Sequence, residues 1–70
     1  MTRTERLLRL MQLLRHRRHP VSAETIAETL GISVRTAYRD IDTLRAQGAD
    51  IRGEAGVGFM LQQDFALPPL

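Results

Sequence analysis

The chain has 70 residues, no cysteine, ten basic residues that are all arginine, eight acids and a formal net charge of +2. That length allows one small domain, which buries only about 60% of the surface its unfolded chain exposes, so modest stability is expected. Without cysteine there are no disulfides, no thiolate chemistry and no usual structural zinc ligands, and His16 and His19 are too few and too local for a metal site, so no cofactor is expected.

Thr2-Arg3-Thr4-Glu5 has the form of a capping box, with Thr2 as N-cap and Glu5 three residues on. The first helix is expected to run from there to about Arg17. Leu7, Leu10, Met11 and Leu14 make a stripe toward a core, while Leu8 and Leu13 lie off its centre and are open to a partner surface or to plain solvent. Arg9 and Gln12 interrupt this leucine-rich segment. It is therefore neither a signal peptide nor a membrane span, which needs roughly 18–20 apolar residues, and a cytoplasmic protein with no membrane partner is expected. The helix should stop before Pro20, which pushes His19 to extended geometry, and Val21 is then a single apolar residue available to a later strand.

Ser22 is a good N-cap for a two-turn helix from Ala23 through Leu30, with Ile26, Ala27 and Leu30 on one side. Gly31 suits a left-handed C-cap, Ile32 should drop into the core, and Ser33 caps the next helix. Helix, glycine, apolar residue, serine and helix in that order are the signature of a helix-turn-helix. The pattern is only moderately specific, because helical hairpins that bind nothing share parts of it.

The third helix, about 34–47, has two faces. Ala37, Ile41 and Leu44 fall together, with Val34 at the margin, and want a core. Arg35 and Arg39 stand opposite at i, i+4, with Thr36 and Thr43 on one side, Asp42 on the other and Tyr38 on the flank. Such a face suits a DNA major groove: Arg35 to a base edge, Arg39 to a base or a phosphate, Thr36 to a thymine methyl or a phosphate. Tyr38 either bonds a phosphate through its hydroxyl or packs half-buried on the first helix. Ser33 and Ser22, with Thr25, cap their helices and are also placed to meet phosphates at the helix N-termini. Asp42 relieves the repulsion between the arginines by standing three residues after Arg39. Asp40 sits beside the core face, away from the arginines, and is expected to pair with an arginine of the first helix or to bond backbone.

Gly48 ends the third helix. Residues 51–61 then read as a β-hairpin turning near Ala55–Gly58, with Arg52 toward the sugar–phosphate backbone and Gly56 and Gly58 letting the turn pass close to it. The fold class is mainly α with a small hairpin, a winged helix-turn-helix of three helices and a two- or three-stranded wing over residues 1–61. Residues 62–70 have no period and read as a linker.

The stretch PVSAETIAETLGISVRTAYRDIDTLRAQGADIRGEAGVGFML resembles the DeoR-like winged-helix headpiece of WYL-domain bacterial transcriptional regulators. The resemblance covers the whole chain. Its most specific parts are Ser33, Arg35, Thr36, Tyr38, Arg39, Asp40, Ile41 and Leu44, and in the wing Gly56, Gly58 and Phe59. Ala37 departs from the larger aliphatic usual at that position, which suggests close helix packing or a slightly underfilled core. The resemblance implies a DNA reader joined by a linker to an effector-sensing WYL domain that is absent here, and a homodimer of the full-length protein on a two-fold operator. Effector binding would fall to that missing domain.

Two other readings compete with double-stranded DNA binding. A winged helix used for protein–protein contact or dimerisation would favour exposed apolar residues where Arg35, Thr36 and Arg39 stand. An RNA binder calls for stacking aromatics, and only Tyr38, Phe59 and Phe65 are aromatic. No nucleophile stands beside a base, and GEAGVG precedes a strand rather than a helix and lacks the phosphate-loop lysine, so no enzyme is expected.

Overall fold

A computed structural model of the chain describes residues 1–62; most of the linker expected at 62–70 therefore lies outside the described residues. Helix α1 (Arg3–Arg15) starts as the capping box requires: Thr2 Oγ1 accepts from Glu5 N–H and Glu5 Oε1 accepts from Thr2 N–H, each at 3.1 Å. Hydrogen bonding to the Thr2 backbone N–H first, and to its side chain second, holds the Glu5 carboxyl below its ordinary range. The helix ends two residues before the expected Arg17 because His16 caps it. Its backbone N–H lies 3.1 Å and its ring Nδ1 2.8 Å from Gln12 O.

Helix α2 (Ala23–Leu30) and helix α3 (Val34–Ala46) are capped alike. Ser22 Oγ accepts from Thr25 N–H at 3.1 Å, and Ser33 Oγ accepts from Thr36 N–H at 3.0 Å. Between them Gly31 takes the left-handed conformation (φ 69°, ψ 37°) expected of a C-cap. Ile32 is only half-buried, packed against the core rather than inside it.

Strands β1 (Ile51–Glu54) and β2 (Gly58–Leu61) form an antiparallel hairpin, in register Ile51↔Leu61 to Glu54↔Gly58. The turn between them is Ala55–Val57, one residue shorter than expected. Val21 pairs with Phe59 through two 2.8 Å backbone hydrogen bonds, so the isolated residue before α2 does find a strand. The sheet is thus a two-stranded hairpin extended by one bridge.

A single core joins these elements. Leu10 and Leu14 of α1, Ile26 and Ala27 of α2, and Ala37, Ile41 and Leu44 of α3 are buried with Val21, Ile51 and Phe59. Ala37 is fully buried. Leu13 packs against this core, which removes it as a free surface residue, whereas Leu8 stays 58% exposed beside a groove lined by Leu7, Met11 and Leu44. Among the described residues no helix is long and apolar enough to cross a membrane.

Candidate nucleic-acid interface

Helix α3 is fixed in place by charge as well as by apolar packing. Asp40, 1% exposed, receives Arg6 of α1 in a two-pronged contact, Nε on Oδ2 at 2.5 Å and the second prong on Oδ1 at 3.0 Å. The carboxylate raises Arg6 further above its already high ordinary pKa. The expected pairing of Asp40 with the first helix is therefore met, and Asp40 serves the scaffold. Arg3 adds a 3.2 Å hydrogen bond to Thr43 Oγ1, which in turn donates to Arg39 O.

With its inner face held, α3 turns Arg35 and Arg39 outward. Both are exposed, and among the described residues neither guanidinium has a hydrogen-bond or ion-pair partner. Asp42 does not relieve Arg39; it stands 3.8 Å from Arg45 instead. The reason is orientation, since an acid N-terminal to a base complements the helix dipole better than the reverse. Thr36 is half-buried at the first turn. Its Oγ1 accepts from Ser33 Oγ at 2.9 Å, and the same bond at 3.0 Å joins Ser22 to Thr25 on α2. Each threonine keeps its own hydroxyl proton for an outside acceptor, at a helix end where backbone N–H groups also favour anions.

Tyr38 is half-buried against the core and packs on the wing. Its ring meets Phe59 edge-on, with centroids 5.8 Å apart and planes at 75°. Its hydroxyl has no hydrogen-bond partner among the described residues. Arg52 lies on the outer face of β1, held by both oxygens of Asp50 at 3.2 Å. The two wing glycines separate in role. Gly56 sits in the turn with open space around it, but Gly58 is buried, and a Cβ there would lie 2.9 Å from Pro20 Cβ. Gly58 therefore answers to packing against Pro20 and Val21, not to the approach of a ligand.

Two important residues escaped the sequence pattern. Arg45 donates from Nε to Ile51 O at 2.9 Å and from its terminal nitrogen to Gly53 O at 3.0 Å, and lies over the Phe59 ring. Gly53 has φ +121°, and a Cβ there would fall 1.9 Å from Gly58 O. Both depend on strand register, which no local spacing shows. The arginines at and just beyond the end of α1 fall elsewhere again: Arg15, Arg17 and Arg18 line a groove with Met60, Leu61 and Gln62, at the end of β2 away from the turn.

The arrangement is three helices, the second and third joined through a tight glycine turn, a hairpin docked on the first and third, and one polar face on α3 flanked by two capped helix starts. The family model for the HTH domain matches residues 6–60, from α1 into β2. The chain belongs to the HTH domain family and is a helix-turn-helix DNA-binding domain.

Proposed function

We propose that the domain reads double-stranded DNA sequence-specifically, as the headpiece of a bacterial transcriptional regulator. Helix α3 enters the major groove, and the hairpin is the wing. The observation that carries this is the difference among the arginines. Of the arginines on α3 and the wing, Arg45 and Arg52 bond to groups of the protein, while Arg35 and Arg39, one turn apart, face outward with no partner among the described residues. Arg35 takes a base edge and Arg39 a base or a phosphate; a bidentate arginine–guanine pair discriminates by about 1–3 kcal/mol. The helix starts capped by Ser33 and Ser22 take phosphates through their backbone N–H groups and the Thr36 and Thr25 hydroxyls, as does the Tyr38 hydroxyl, and Arg52 does so from the wing once it exchanges Asp50 for DNA. The likeness to WYL-domain regulators supports placing this domain before a linker at 62–70 and an effector-binding domain, in a homodimer.

Fluorescence anisotropy against a mixed-sequence duplex, titrated over salt, tests the reading. Each phosphate contact adds about −0.9 to the slope of log K against log salt. The Arg35→Ala/Arg39→Ala variant is expected to lose most of the affinity with an unchanged melting temperature. Binding that survives in the variant moves DNA off α3. No binding by the wild type at low salt favours a protein-contact module, with Leu8 as the next residue to change.

A further inference from the structure

We infer that Arg45 is a positioning residue for DNA binding, one that never touches DNA but fixes the wing to the recognition helix. The inference rests on the reading that the wing meets DNA through Arg52. Arg45 and Tyr38 are seven residues apart on α3, two helical turns, and so share one flank. Both reach the wing. Tyr38 meets Phe59 edge-on, and the Arg45 guanidinium lies 5.6 Å from the centroid of the same ring, so the buried Phe59 is gripped by two side chains of one helix.

Of these two side chains, Arg45 also holds the wing's backbone. Carbonyls along a strand alternate in direction, and Asp50 O and Glu54 O accept from Gln62 and Val57 on the β2 side. Ile51 O and Gly53 O therefore point the other way, off the open edge of β1, where Arg45 takes both. Arg52 lies between these two residues. Its backbone is thus fixed by the fork of Arg45 on either side, and with it the starting point of the one wing cation assigned to DNA. A planar fork with spaced donors bridges two carbonyls in a way a single ammonium does not. Asp42 at 3.8 Å and the apolar Phe59 face complete the seat.

The test is a double-mutant cycle on the salt slope, using Arg45→Met, Arg52→Ala and the pair, with the whole chain. Methionine keeps the apolar stem against Phe59 and removes every donor. Arg45→Met is expected to flatten the slope by about 0.9, as Arg52→Ala does, and the double variant to lose no more than either alone. Arg45→Lys should recover only part of the slope. Thermal melts followed by circular dichroism establish that each variant is folded at the assay temperature, and Arg45→Lys carries the test if Arg45→Met is not. An unchanged slope in Arg45→Met overturns the inference, because the wing then holds itself. Additive losses overturn it too, because Arg45 then grips a phosphate directly. An unchanged slope in Arg52→Ala refutes the wing reading itself, and the inference goes with it.

Discussion

Single residues here divide by what their charge faces. Asp40 has its carboxylate in the interior and one cation to satisfy it, so the pair behaves as a unit. Removing one partner of a buried ion pair costs about 3–5 kcal/mol, a large part of the roughly 5–15 kcal/mol that holds a small domain together. Arg6→Ala is therefore expected to lower the melting temperature by more than 10 °C or to unfold the chain, since about 1 kcal/mol shifts a domain of this size by roughly 4–8 °C. Replacing both partners with apolar residues of similar size should recover much of the loss, and an unchanged melting temperature in Arg6→Ala would sink the structural role. Asp40 was legible in sequence because an acid beside a core stripe has few choices. Arg45 was not, because its acceptors are backbone carbonyls of a strand whose register the sequence does not display. Asp42 was legible only as a member of an i, i+3 pair; it stands midway between Arg39 and Arg45, and dipole direction decides between them.

At the scale of elements, the starts and stops follow local chemistry. Thr2, Ser22 and Ser33 cap where spacing said they would, and Gly31 turns left-handed where it must. These features need only neighbours in sequence, and so they were readable. The wing glycines were not separable that way. Gly53, Gly56 and Gly58 all have positive φ, yet they differ in what lies over them. Gly56→Ala meets open space, so its cost is backbone strain alone, about 1–2 kcal/mol. Gly53→Ala sets a methyl against the Gly58 carbonyl and must part the strands. Urea denaturation should therefore show Gly53→Ala losing clearly more stability than Gly56→Ala; equal losses would mean the strands give way freely at that point. The hairpin's existence was visible in the sequence, but which glycine it cannot spare was not.

For the molecule as a whole, the order of helices and hairpin was legible because amphipathic period and turn residues agree along the chain. The joint between wing and body was legible only as an unspent apolar residue, Val21, whose partner Phe59 lies 38 positions away. That bridge has a consequence for how copies of the protein behave together. A two-stranded ribbon ordinarily offers two free edges, each a template on which another chain can add a strand. Val21 covers the edge of β2 at Phe59, and the Arg45 fork takes two carbonyls on that of β1. Val21→Pro deletes one donor of the bridge. It is expected to make light scattering rise with protein concentration while helical circular dichroism persists; scattering that stays flat would show the edge was never at risk. A domain crowded beside its own copies would in this way keep its wing from polymerising, by a pairing made entirely within one chain.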